Sequence, residues 1–202
     1  SEYLFNLSMA KIFPSIFPHD LDSPEMLKLG IQVEYEIYNK LKKLSNDFEI
    51  FCGPKFIKKN LYGDMRDGEY SDFIIVHKDK GILFLECKGG SISYRANEVR
   101  WYQNKNILKK SPIKQANDGK LSLITLLQSS KYKEQININS IPTIHGAIFP
   151  NTPKPSNITL GADIKPEMII WAEDCEDLSS SILNLLDLNQ SKKEISDEEK
   201  KT

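Results

Sequence analysis

Asp72, Glu86 and Lys88 carry the residue types and spacing of a hydrolytic metal site. In the segment ILFLECK, residues 82–88, the strand period of two sets Ile82, Phe84, Glu86 and Lys88 on one face and Leu83, Leu85 and Cys87 on the other. Glu86 and Lys88 therefore point the same way, roughly 7 Å apart along the strand. Opposite charges at the end of an apolar run are expensive to bury unless they are paired or bound to a metal. Asp72 opens the preceding segment DFIIVH, and Lys78-Asp79-Lys80 forms a tight polar turn between the two. Counted from that turn, Asp72 and Glu86 are each about seven residues out, which makes them cross-strand neighbours. Two carboxylates and an amine converging at one end of a hairpin suit Mg²⁺ or Mn²⁺, which prefer oxygen ligands. Such an ion polarises a phosphodiester and activates water, while the Lys88 ammonium orients or stabilises the attacking hydroxide. For Glu86 and Lys88 alone, a surface ion pair at a strand end is the competing reading.

The elements that must hold these groups are legible from periodicity. Val33, Ile37, Leu41 and Leu44 give one apolar face to a helix over about 25–44, with Ser23 as cap and Pro24 at its first position. FEIFC at 48–52 and KFIKKNLY at 55–62 read as strands, followed by the polar connection GDMRDGEYS. SISYR at 91–95 and VRWYQ at 99–103 suggest a second hairpin. Leu121, Ile124 and Leu127 mark a helix over 113–128; TIHGAIF at 143–149 and MIIW at 168–171 look like buried strands. Leu178, Ile182, Leu185 and Leu186 mark a last helix. The order of elements predicts an α/β fold with a central mixed sheet flanked by helices. Residues 1–24, with three prolines, read as an extension and extended lead-in, 25–190 as one globular domain, and 191–202 as a charged, disordered tail or linker.

The segment SDFIIVHKDKGILFLECKGG resembles the centre of nuclease-related (NERD) domains, members of the PD-(D/E)xK nuclease superfamily, with Asp72, Glu86 and Lys88 as its D-x13-E-x-K pattern. GIQVEYEIYNKL is similar to the family's first helix, and RWYQN, PIKQA and HGAIFP occupy the expected places, so the likeness spans roughly residues 9–187. It implies a restriction-endonuclease-like core and Mg²⁺- or Mn²⁺-dependent hydrolysis of DNA, with the choice between DNA and RNA left open. It also implies that Glu34 joins Asp72 and Glu86 at the metal and that Gln115 acts beside the site or on DNA. Some relatives carry a tyrosine four residues after that glutamine; here the position is Gly119. Family members are often joined to a helicase, kinase or other module, which suggests such a partner in cis or in trans. The rival expectation is a domain that keeps the fold but has lost cleavage, and binds nucleic acid or holds a protein partner.

The remaining motifs have two readings each. Glu34 lies beside the apolar stripe of its helix, with Glu36 as a solvated counterpart, and Gln115 is also an ordinary surface choice near a helix start. Lys105, Lys109, Lys110 and Lys114 follow Trp101 and Tyr102, so they either track a phosphate backbone or decorate a solvated turn. Asp64, Arg66, Asp67 and Glu69 read as a solvated loop. The formal charge of -1 supplies no global positive field, so any nucleic-acid surface is local. Cys52, Cys87 and Cys175 form no CxxC pair, and His19, His77 and His145 are scattered, which argues against zinc and against a disulfide framework. With no membrane-length apolar run, no signal core and no P-loop, the expectation is a soluble, cytoplasmic chain that does not itself hydrolyse ATP.

Overall fold

Runs rich in β-branched and aromatic residues make the centre of the protein. The structure is a computed structural model that describes residues 9–24, 28–53, 55–59, 65–69, 71–129, 132–162 and 164–199. In chain order the strands are β1 (Lys11–Phe13), β2 (Phe48–Cys52), β3 (Lys55–Lys59), β4 (Met65–Glu69), β5 (Phe73–His77), β6 (Gly81–Cys87), β7 (Ile92–Arg95), β8 (Arg100–Gln103), β9 (Asn106–Ile107), β10 (Thr143–Ile148) and β11 (Ile169–Ile170). The helices are α1 (Leu29–Leu41), α2 (Pro112–Leu127) and α3 (Leu178–Glu199). A six-stranded mixed sheet runs in the order β1-β2-β5-β6-β10-β11. Its centre β2-β5-β6 is antiparallel, while β1 pairs parallel to β2, and β10 lies parallel between β6 and β11.

Every residue of β6 is buried, as expected of a central strand covered on both faces. Leu83, Leu85 and Cys87 pack with Val33, Ile37 and Leu41 of α1 and with Ile182 and Leu185 of α3. Ile82 and Phe84 face the other way, onto Leu123, Ile124 and Leu127 of α2. Truncating a fully buried residue such as Leu83 to alanine is expected to cost about 2–5 kcal/mol, because the layers on either side cannot both close in. The β5–β6 turn is held by His77, whose Nδ1 accepts the backbone N–H groups of Asp79 and Lys80 at 3.1 and 3.2 Å. Its ring stands edge-on to Phe48. A small sheet β7-β8-β9 packs its Trp101 against Phe149, which in turn meets Trp171.

Several local expectations differ from what forms. The lead-in is part of the fold: β1 joins the main sheet, and Ile12 and Phe17 enter the core. Prolines limit helix formation there but leave an edge strand possible. Ser23 does not cap α1; its hydroxyl closes a local turn by donating to the Asp20 carbonyl at 2.7 Å, and the helix starts at Leu29 after residues outside those described. That helix ends at Leu41, yet Leu44 is still buried, so the apolar spacing outlasts the helix. The charged segment 65–69, read as a loop, is a strand paired antiparallel with β3 from Lys55↔Glu69 to Lys59↔Met65. It lacks the apolar alternation that sequence reading requires, but backbone pairing does not need it. The rest of the expected strand, 60–62, and Asp64 lie outside the described residues. Finally, the backbone stays helical through Glu199, where the lysines and glutamates of 192–199 are good helix formers uninterrupted by Gly or Pro. Among the described residues no helix is long and apolar enough to cross a membrane.

Candidate active site

The hairpin positions the two central carboxylates. Its ladder ends with Phe73 opposite Leu85, so one step further along the two chains Asp72 and Glu86 come opposite each other. Asp72 sits just before β5 rather than in it, and two backbone bonds fix it there. Its Oδ2 accepts the Cys87 N–H at 2.7 Å and its carbonyl accepts the Gly53 N–H at 2.7 Å. Glu86 is buried, only 5% exposed, and Lys88 Nζ donates to its Oε1 at 2.7 Å.

Glu34 reaches the same place from α1. The backbone of Gly89 packs so tightly on Val33 that an added Cβ would lie 2.7 Å from Val33 Cγ2, which fixes the helix beside the strand end. Glu34 is half-buried and lines a cleft together with Asp72, whereas Glu36 is exposed. The cleft has a volume of about 250 Å³, and Cys52, Phe17, Pro18 and His19 form other parts of its wall.

Electrostatics report this crowding of negative charge. Part of Asp72 remains exposed, but burial is the largest influence on its carboxyl, followed by the Glu86 and then the Glu34 charge; together these push its pKa well above the ordinary value. Lys88 and the Cys87 N–H pull the other way and are outweighed. Burial works to lower Lys88, but the Glu86 and Asp72 carboxylates outweigh it and hold the ammonium above its ordinary value. The Cys52 thiol is pushed up to about 12 by burial and then by Glu34, which makes it a packing residue rather than a ligand.

The structure thus brings Asp72, Glu86, Lys88 and Glu34 to one end of the sheet. Gln115 lies half-buried in the early turns of α2, the helix that covers the Glu86 face, and Gly119 is buried on that helix. Ser111 caps α2, its Oγ accepting the Lys114 N–H at 3.3 Å. The four lysines divide. Lys110 and Lys114 both pair with Asp118, at 2.6 and 3.6 Å, while Lys105 and Lys109 are exposed, Lys105 at a turn with φ +70°.

A clamp around the residues after Lys88 was not foreseen. The Gly90 N–H donates to Asn151 Oδ1 at 3.0 Å, its carbonyl accepts Thr152 Oγ1, and Gln103 Nε2 donates to the Gly89 carbonyl at 2.8 Å. Asn104 accepts the Ser91 N–H at 2.9 Å. Gly90 has φ +77°, and a Cβ there would lie 2.6 Å from the Asn104 amide. The Gly89-Gly90 pair directly after Lys88 was the available sequence signal; which residues would clasp it depends on the return of β8 and β10 to the same place.

A family model described as the nuclease-related domain matches residues 29–149. The chain belongs to the nuclease-related domain family. The match includes Glu34, Asp72, Glu86, Lys88, Gln115 and the four lysines, and the six-stranded mixed sheet flanked by helices is consistent with a nuclease-like core. No curated protein and no solved structure matches the chain. For a NERD domain the donor chemistry at the sheet end is hard: carboxylate oxygens facing one ammonium, with the nearby thiols held protonated. This fits Mg²⁺ or Mn²⁺ better than zinc. Among the described residues no group of three or more His, Cys, Asp or Glu is drawn close enough to cage an ion. That is compatible with Mg²⁺, which usually takes one or two carboxylates and keeps waters for a phosphate to replace.

Proposed function

We propose that this NERD domain is a nuclease that hydrolyses DNA phosphodiester bonds with Mg²⁺ or Mn²⁺. The observation that carries the reading is the adjacency of Asp72 and Glu86 across the hairpin, with Lys88 2.7 Å from Glu86 and the Glu34 charge felt at Asp72. Asp72 and Glu86 would hold the ion, and Glu34 would add its negative charge beside Asp72. When bound, the cation supplies Lewis-acid polarisation of the phosphate and neutralises developing charge. Asp72 is oriented by the Cys87 N–H, so its free oxygen is directed before substrate arrives. Lys88 is held protonated beside Glu86, ready to orient the attacking water and to stabilise charge developing on the phosphoryl oxygens. The buried strand behind them keeps these groups fixed while charge moves.

A cytosolic setting and a helicase or other module as partner belong to the same proposal. Three buried free thiols suit a reducing compartment, and the polar helical end at 191–199 suits a connection to another module. One observation favours a second reading, a domain that binds nucleic acid without cutting it: the Glu86 oxygen is already engaged by Lys88. If that pair persists in the bound complex, cleavage fails.

The test is cleavage of labelled single- and double-stranded DNA and RNA with Mg²⁺, Mn²⁺ or excess EDTA, comparing the wild type with Glu86→Gln and Lys88→Ala. Metal-dependent products that both substitutions abolish, in variants that remain folded by circular dichroism, are expected. Equal cleavage in excess EDTA would refute the metal role, and binding with no products under any metal would favour the second reading.

A further inference from the structure

We infer that His19 contacts the nucleic-acid strand at the mouth of the carboxylate cleft, donating a ring N–H to a phosphodiester oxygen. This rests on the nuclease reading of the site but concerns a residue outside the span matched by the family, which begins at residue 29.

The lead-in segment is built into the cleft wall. β1 pairs with β2 in register Lys11↔Glu49 to Phe13↔Phe51, and Tyr38 Oη of α1 donates to the Pro14 carbonyl at 2.9 Å. Phe17 is buried, with its ring 5.1 Å from Tyr35 and 5.3 Å from Tyr38. Two residues on, the His19 ring lies 5.4 Å from Phe17 at 47° and remains half-exposed. The same cleft is lined by Glu34 and Asp72, so the anchored His19 and the pair of carboxylates border one space of about 250 Å³.

The charge balance gives the imidazole its use. A phosphodiester approaching Asp72, Glu34 and Glu86 meets repulsion, and Lys88 is turned into Glu86. Among the described side chains lining the cleft, His19 is the one that bears a nitrogen donor. An imidazole in either tautomer offers one N–H, so the contact does not depend on its charge state. The tilted contact with Phe17 restricts the ring, which lowers the entropy lost on binding. His19 is thus a substrate-contacting residue that affects binding of the strand more than the chemical step.

The experiment measures steady-state cleavage of labelled DNA with Mn²⁺ by the wild type, His19→Leu and His19→Gln, together with thermal melting and Kd for the same oligonucleotide by anisotropy in Ca²⁺. Loss of one hydrogen bond to a charged group predicts that His19→Leu raises KM and Kd about tenfold to a hundredfold. Its kcat should stay within about twofold, and the glutamine variant, which keeps an N–H donor, should recover most of the affinity. Unchanged KM and Kd in His19→Leu would overturn the inference. So would a glutamine variant as weak as leucine, or a lowered melting temperature accounting for the loss. If the wild type binds but does not cleave, the nuclease reading fails, and the Kd series alone decides whether His19 contacts the strand.

Discussion

Replacing Lys88 with methionine removes the cation that faces Glu86 while keeping most of the side-chain volume. The pair is 2.7 Å apart, with side chains 21% and 7% exposed. At an effective dielectric of about 20 its attraction is about 6 kcal/mol, most of which offsets the desolvation of the two groups. What the substitution exposes is the remainder: a buried Glu86 and its neighbour Asp72 that have lost the Lys88 charge, which experience with broken buried pairs sets at about 3–5 kcal/mol. With a urea slope of about 2 kcal/mol/M, the unfolding midpoint in EDTA should fall by roughly 2 M. A chain of this size with a stability of about 5–15 kcal/mol remains largely folded before urea is added. The double variant Glu86→Leu with Lys88→Met should return to within about 1 kcal/mol of the wild type, because neither charge is then buried alone. A Lys88→Met midpoint within 0.5 M of the wild type, on the order of the extrapolation error, would refute this account. So would a double variant whose loss equals the sum of the two single losses.

Asp72→Asn should abolish cleavage and stabilise the metal-free protein at neutral pH. Burial and then Glu86 and Glu34 raise the Asp72 pKa above its ordinary 3.8, so the folded chain holds that proton more tightly than the unfolded one. Its contribution to stability is full below about 3.8 and declines as pH rises through the folded value, and urea midpoints across pH should show the variant gaining on the wild type over that window. Gly90→Ala forces a side chain into φ +77° and against the Asn104 amide; a loss of about 1–2 kcal/mol in urea is expected, with reduced cleavage as Lys88 shifts. Alanine at both Lys105 and Lys109 should lower the slope of log affinity against log salt by about 1.8 for duplex DNA. Alanine at Lys110 and Lys114, which are already paired with Asp118, should change it less. Binding isotherms at three salt concentrations separate the two pairs.

The parts of the fold legible in the sequence are those whose side chains face the core. The period of two in 82–88 gives both faces of β6, and symmetry about Asp79 is enough to set Asp72 opposite Glu86, because a tight turn transmits register outward without slippage. Strands 65–69 and 106–107 could not be read because the first is mostly charged and the second is two residues long, so their pairing is a property of the backbone. The end of α1 was misjudged for the converse reason: Leu44 is buried by a turn that follows the helix, so burial outlasts helical geometry. The clasp around Gly89-Gly90 and the approach of His19 both join segments far apart in sequence, and no local pattern encodes such a meeting.

The arrangement of charges also bears on why the site lies where it does. Further toward the turn, β5 and β6 are covered on both faces by helices, and an unpaired carboxylate there would have no solvent on either side. One step beyond the last ladder pair, α1 contributes Glu34, the Cys87 N–H becomes available to Asp72, and the lead-in leaves a cleft to solvent. The strand end is therefore the first position along the hairpin where carboxylates can crowd, keep protein dipoles aimed at them and still be reached by a cation. Repulsion among Asp72, Glu86 and Glu34 raises the Asp72 pKa, and the ion proposed above would relieve it. On that proposal ion binding would be linked to stability: at 100 times its dissociation constant an ion would add about 2.7 kcal/mol. Variants that relieve the crowding should lose that increment along with activity.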